Sequence, residues 1–167
     1  MRYFIKKVFF TLFFIIIHIS GNAMEKNYLS IDLSCRDNPS CIYNKHDIDI
    51  DILIKNISSK DIGFPIKYVD RRGPAIMLID IATQNKMPLR ISPAPHTLLK
   101  DFTIIKPGQS VIISTKLSNS NIVVFRENFV NLTVQISAAV NIQVPDNEEL
   151  FYFNDTAKIN IRGVDTF

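Results

Sequence analysis

The chain has 167 residues, 47% of them hydrophobic, and its 19 Lys and Arg against 16 Asp and Glu give a formal net charge of +3. This length suits one domain with its own core. A net charge this small, with no basic stripe, argues against a nucleic-acid partner.

The N-terminus has the pattern of a secretory signal peptide. Three basic residues precede an apolar run, Val8–Ile17, and the small residues of Ser20–Ala23 suit a cleavage site. The run is short for a membrane span, which needs about 20 apolar residues, so an uncleaved anchor is the less favoured alternative. We predict a signal peptide over residues 1–23. The mature chain, 24–167, is then formally neutral, has no transmembrane segment, and is periplasmic or secreted.

The two cysteines, Cys35 and Cys41, both belong to the predicted mature chain and flank a short turn. An even cysteine count in an oxidising compartment predicts a disulfide. Closing so short a loop stabilises the fold by about 2 kcal/mol in the chain-entropy model. A metal site would need more ligands at close spacing, and His46 is the only one nearby.

Apolar and polar residues alternate with a period of two along most of the mature chain, which is typical of half-buried strands. The clearest case is Asp47–Ser58, where we predict that Ile48, Ile50, Ile52 and Ile54 are buried and that the aspartates face outwards. Further strands are predicted over residues 28–33, 62–68, 75–82, 87–91, 102–105, 111–117, 129–138, 150–153 and 158–162.

Some of these predicted segments carry features of their own. Gly63 and Pro65 restrict the 62–68 strand to an edge or a bulge, and the apolar 75–82 segment predicts a strand buried on both faces. Lys106–Ser110 has Pro before Gly, as a type II turn prefers. Residues after Ile161 lack a pattern and are expected to form a loose tail.

No helical periodicity is long enough to predict a helix. Short strands separated by turns every 8–12 residues or so predict a single all-β domain, an antiparallel β-sandwich of about seven to nine strands.

The order of the turns resembles a known class of domain. A strand ending in Asn56–Ser58, then Pro65, and later Lys106–Ser110 before another strand is similar to immunoglobulin-like or fibronectin-like sandwich domains of bacterial secreted proteins. The resemblance covers residues 28–161. It implies an immunoglobulin-like sandwich, a fold used by proteinase inhibitors and by adhesive or accessory modules, and it does not choose among them. Unlike antibody domains, the chain has no tryptophan, and its cysteines are too close to bridge two sheets.

Three acidic residues, Asp47, Asp49 and Asp51, are spaced like the start of a calcium-binding loop. Such a loop needs Gly at its sixth position and Glu at its twelfth, where this chain has Ile52 and Ser58. We interpret the trio as a solvated strand face whose like charges discourage aggregation, with a surface cation site as the less favoured alternative. No metal site and no cofactor are predicted.

Catalytic residues are not predicted either. Only His46 and His96 remain after signal removal, and the sequence lacks the nucleophile-elbow, zinc-protease and phosphate-loop motifs. A cysteine nucleophile would require the predicted disulfide to stay reduced. We therefore predict that the protein is not an enzyme.

Two loops are the candidate binding sites, because sandwich domains bind mostly through loops on a rigid scaffold. The first is a charged loop, 70–74, whose adjacent arginines suit a carboxylate or phosphate. The second, 92–96, is stiffened by two prolines and loses little entropy on binding. The candidate residues are Asp70, Arg71, Arg72, Pro93, Pro95 and His96.

These features favour an exported, non-enzymatic module that binds another protein of unknown identity. A secreted proteinase inhibitor acting through the proline-rich or the Arg-Arg loop is one alternative. A small outer-membrane β-barrel is another, although eight prolines and Asp165 near the C-terminus count against it.

Overall fold

The computed structural model of the chain describes residues 28–125 and 129–164. The predicted signal peptide, 1–23, lies outside the described residues, as do the last three residues of the predicted tail. Among the described residues, no helix has the length and hydrophobicity needed to cross a membrane.

The described residues form two antiparallel sheets packed as a β-sandwich, which confirms the predicted fold class. The three-stranded sheet has the order β1–β2–β7, and the second sheet contains the other six strands. The strands are β1 (Leu29–Cys35), β2 (Ile48–Asn56), β3 (Ile62–Phe64), β4 (Ala75–Asp80), β5 (Lys86–Pro88), β6 (Thr103–Ile105), β7 (Ser110–Leu117), β8 (Phe129–Val144) and β9 (Glu149–Val164). The helices are α1 (Ile66–Arg72), α2 (Asn119–Ile122) and short 3₁₀ segments at His96–Lys100, Val123–Phe125 and Pro145–Asn147.

β2 is the central strand of the three-stranded sheet and lies between β1 and β7. Its isoleucines, Ile48, Ile50, Ile52 and Ile54, are all buried, as the alternating pattern predicted. They belong to the same core as the Leu132, Val134 and Ile136 side chains of β8. The predicted register of the acid–isoleucine strand is confirmed.

The six-stranded sheet is built on the long hairpin of β8 and β9, which pair over all 16 residues of each strand. We predicted two short strands in the region of β9, 150–153 and 158–162, on either side of Asp155. The structure has one strand instead, since Phe151, Phe153, Ile159 and Ile161 keep a single alternation on both sides of that aspartate. The prediction of a loose tail after Ile161 is wrong as far as Val164, which is still paired with Phe129.

Two further strand predictions are only partly right. The predicted 62–68 strand ends at Phe64, and its remainder enters α1 after Pro65. Residues 75–80 do form β4, but only its Ile76 and Leu78 side chains are buried. β4 therefore buries one face, whereas the sequence predicted two.

The disulfide between Cys35 and Cys41 is present, with the two Cα atoms 5.5 Å apart. It closes the loop after β1, and the chain then runs along the outer edge of β9. There the Tyr43 N–H donates to the Arg162 carbonyl at 2.8 Å, and the Arg162 N–H donates to the Cys41 carbonyl at 3.3 Å. The Tyr43 hydroxyl bonds Asn119 of α2 at 2.5 Å. The disulfide loop thus covers the C-terminal part of β9.

Replacing Gly163 with alanine is expected to destabilise the fold by about 1–3 kcal/mol, because it overpacks this contact. A Cβ at Gly163 would collide with the Tyr43 carbonyl oxygen and lie 2.8 Å from the Tyr43 Cβ. Urea denaturation measures the effect. Lys158→Ala is the control, since Lys158 is exposed on the same strand and should change stability by less than about 0.5 kcal/mol. Equal stability of the two variants would contradict the close approach of Tyr43.

Candidate functional site

On one side of β8, the six-stranded sheet has two neighbouring strand positions. Each position is occupied by two short strands with a break between them, and the two breaks lie side by side. Because β9 occupies one whole edge of β8, both β3 and β4 pair with its other edge, β3 at Gln143 and β4 from Ser137 to Leu132. β6 pairs with β3, and β5 pairs with β4. Each position is therefore one strand broken into two collinear halves. The breaks are the 65–74 connection, which contains α1, and the 89–102 connection, which contains the prolines.

The two connections are fastened to each other at two points. The Ser92 N–H donates a hydrogen bond to the Arg72 carbonyl at 2.8 Å. The Lys67 ammonium donates to the Asp101 carboxylate, also at 2.8 Å. One contact lies near each end of α1, so the helix is held along its length. The two candidate loops, 70–74 and 92–96, thus form one surface.

The arginine pair lies in a helix, so the predicted loop assignment of Asp70–Arg72 is wrong. These residues form the last turn of α1, which ends at Gly73 with a φ of 79°, a conformation suited to glycine. Basic residues in a last turn interact favourably with the helix dipole. Arg71 is exposed, whereas the Arg72 guanidinium lies 5.9 Å from the centre of the Tyr68 ring, within cation–π range.

The proline loop was placed correctly and is exposed at Pro93, Pro95 and His96. Pro95 has φ −59° and ψ 131°, close to the polyproline II conformation, and His96 opens the 3₁₀ segment. Ile91, just before the loop, leaves 42% of its surface exposed. The loop therefore presents apolar side chains beside the arginines, on a backbone that two prolines stiffen.

We call the joined feature the arginine–proline surface, defined as Arg71, Arg72, Arg90, Pro93, Pro95 and His96. Arg71 and Arg90 are exposed and form no ion pair with any residue in the described ranges. Asp70, the remaining candidate of the charged loop, is exposed on the same helix and is the acidic group among them. The balance of charge on this surface is positive.

Two members of the acidic trio, Asp51 of β2 and Asp47 just before it, contact neighbouring elements through their side chains. Asp51 accepts hydrogen bonds from the Arg36 guanidinium and from the Ser114 hydroxyl. The Arg36 bond, at 2.5 Å, is the main reason that the pKa of Asp51 is lowered. Asp47 accepts from the Asn119 N–H at 2.8 Å and lies 3.7 Å from the Lys116 ammonium. Within 28–125 and 129–164, no group of three or more His, Cys, Asp or Glu is arranged to hold a metal ion.

A cleft of about 510 Å³ on the outer face of the six-stranded sheet was not predicted. It lies beside Asn141 and Gln143 of β8 and extends to Phe102, ahead of β6, and Leu150 of β9. The sequence contained a partial signal, because the outward residues at the end of β8, Asn141 and Gln143, are amides rather than charges. The cleft itself depends on strands far apart in the chain, and only the sheet order shows it.

Comparisons with known proteins identify no family. No family model matches the chain, and no curated protein matches it either. A Northeast Structural Genomics Consortium target is similar over 81% of this chain and 86% of its own, with a TM-score of 0.44 and 8% identity. A β-glucosidase from Listeria innocua is similar over 81% of this chain but 16% of its own length, with a TM-score of 0.31 and 12% identity. Likenesses this low carry no information about function.

Proposed function

We propose that this protein is an exported, non-enzymatic module that binds an acidic segment of another protein through its arginine–proline surface. One observation carries the proposal. The hydrogen bond between Ser92 and Arg72 joins two segments with complementary binding properties. One segment supplies guanidinium groups, and the other supplies apolar side chains on a backbone that two prolines stiffen.

The chemistry of the surface suits a carboxylate-bearing partner. A guanidinium presents a planar fork of donors that matches a carboxylate with two parallel hydrogen bonds. Arg71 and Arg90 are free to make such bonds, because no described carboxylate pairs with either of them. Ile91 and the prolines add apolar area that is already ordered, so binding costs little conformational entropy.

Export is supported by the signal-like N-terminus and by the disulfide between Cys35 and Cys41. Disulfides persist in oxidising compartments and are rare in the cytosol. A partner in the same compartment, or on the surface of another cell, is therefore the expected target.

A binding role is favoured over catalysis because the side chains of His46 and His96 have no orienting partner among the described residues. Neither side chain is hydrogen-bonded to another described residue, and both are exposed. A general base of the hydrolase type is held in place by a neighbouring acid. The helical form of Arg71 and Arg72 likewise disfavours insertion of this pair into a protease cleft, which binds extended chain.

Reversing the charge of the arginine–proline surface is expected to weaken partner binding strongly. Immobilised mature protein should retain a specific partner from an envelope extract of the producing cell. The Arg71→Glu/Arg90→Glu double variant should bind that partner at least tenfold more weakly, because close like-charge contacts replace attractive ones. Surface plasmon resonance with the purified partner measures the affinity, and added salt should weaken the wild-type complex.

The matched control is Lys55→Glu/Lys158→Glu, which changes the net charge equally at exposed positions on β2 and β9. This variant should bind the partner like the wild type. If both double variants lost the partner equally, binding would depend on overall charge and the surface would not be the site. A wild-type protein that retains no specific partner would also contradict the proposal.

A further inference from the structure

The cleft on the outer face of the six-stranded sheet has walls and a floor of different chemistry. β8 buries its even-numbered residues, so Asn141 and Gln143 point outwards and form the floor. Their cross-strand partners on β9, in register, are Tyr152 and Leu150. Leu150, which is 57% exposed, forms one wall of the cleft, and Tyr152, which is 70% exposed, lies next to it on the same face of β9.

The opposite wall is Phe102, which covers a glycine of β3. An ideal Cβ on Gly63 would lie 3.0 Å from the Phe102 Cβ and 3.3 Å from the Gln143 Cβ. Glycine at this position therefore lets the aromatic side chain lie close against the sheet beside the amide floor. β3, which lies under Phe102, and β9 flank β8, so the strands beneath the two walls lie roughly 10 Å apart, twice the spacing of neighbouring strands. That width admits a single ring.

The polar groups of the cleft balance one another in charge. Lys100 contributes one positive charge and Glu148 one negative charge, so the lining favours a neutral ligand over an ion. Side-chain amides carry both donors and acceptors, as Asn141 and Gln143 do here. A ligand rich in hydroxyl groups matches them, because each hydroxyl also donates and accepts.

From these features we propose that the cleft binds one ring of a neutral sugar. The apolar C–H faces of the ring pack against Phe102 on one side and Tyr152 with Leu150 on the other, and its hydroxyls bond the amides of Asn141 and Gln143. Ligand sites combine apolar walls with a few placed polar groups in this way. The site lies apart from the arginine–proline surface and does not rest on the function proposed for it.

The test is an NMR titration of the mature protein with four neutral tetrasaccharides: cellotetraose, maltotetraose, mannotetraose and tetra-N-acetylchitotetraose. At least one is expected to bind and to shift the side-chain amide signals of Asn141 and Gln143. Asn141→Ala and Tyr152→Ala should each weaken that binding at least fivefold. Both side chains are exposed, so both variants should fold like the wild type.

The matched control is Asn160→Ala, which removes an exposed amide from the same sheet face near the other end of β9. It should bind the sugar like the wild type, as should the Arg71→Glu/Arg90→Glu variant. Absence of binding to all four sugars would overturn the proposal. So would signal shifts confined to other residues, or equal weakening by Asn160→Ala.

Discussion

Replacing Asn56 with alanine is expected to lower the free energy of unfolding by about 3–5 kcal/mol. Asn56 is fully buried, and its side-chain nitrogen donates to the carbonyls of Lys60 and Ile105, both at 2.7 Å. Its side-chain oxygen accepts from the Ser58 N–H at 2.9 Å and from the Ser58 hydroxyl at 2.7 Å. Leaving a buried polar group without a partner costs about 1–3 kcal/mol, and alanine leaves several.

Urea denaturation of the mature protein measures this effect, with Asn154→Ala as the control. Asn154 is an exposed asparagine on β9, and its replacement should change stability by less than about 0.5 kcal/mol. Asn56→Asp should also destabilise strongly, because a carboxylate cannot donate to the two carbonyls. A mild effect of both Asn56 variants would show that the hydrogen-bond network of Asn56 contributes little.

The Asn56 network also explains what the turn motifs do in this fold. The sequence predicted the end of a strand at Asn56–Ser58 and a type II turn at Lys106–Ser110. The type II turn is confirmed, with Gly108 at φ 75° and the Gln109 N–H bonded to the Lys106 carbonyl at 2.9 Å. The Gly108 N–H also donates to the Asn56 carbonyl, and the Asn56 N–H donates to the Gln109 carbonyl. Two turns that were predicted separately are therefore one contact that ties β2 to β6.

Period-two alternation was a sufficient guide wherever one strand face is buried and the other is solvated. It located β2 and the start of β8, because side-chain direction follows from strand geometry alone. It failed at β9, where Asp155 broke the pattern without breaking the strand. It also failed at α1, whose seven residues are too few for a helical period to be recognised.

The sequence predicted which residues form the candidate site but not how they are arranged in space. Adjacent arginines and paired prolines are visible in the sequence, and both were placed between strands. The arginines and the prolines meet because β3 and β4 are collinear halves of one strand position. β6 and β5 are likewise collinear halves of the neighbouring position. Such a register arises from pairings with β8, more than 60 residues further along the chain from β3. The local sequence does not predict that pairing, so the arginine–proline surface could be found only from the structure.

The second large effect on stability is expected in β2, the central strand of the three-stranded sheet. Ile52→Ala should lower the free energy of unfolding by about 2–5 kcal/mol, because Ile52 is 2% exposed and its truncation leaves a cavity between the sheets. Asp49→Ala is the matched control on the opposite face of β2, where the side chain is partly exposed, and it should cost less than about 0.5 kcal/mol.

Chemical denaturation of both variants checks the register directly. A one-residue slip would exchange the two faces of β2, so a large cost at Asp49 and a small cost at Ile52 would contradict the pairing of Ile52 with Leu33 and Ile113. A comparable loss of unfolding free energy in both variants would indicate that both faces of β2 are packed against other parts of the protein. The expected difference in stability between the two variants follows only if β2 has one face in the core and one in solvent. Because β2 then serves as scaffold, binding is left to the cleft on the outer face of the six-stranded sheet and to the arginine–proline surface.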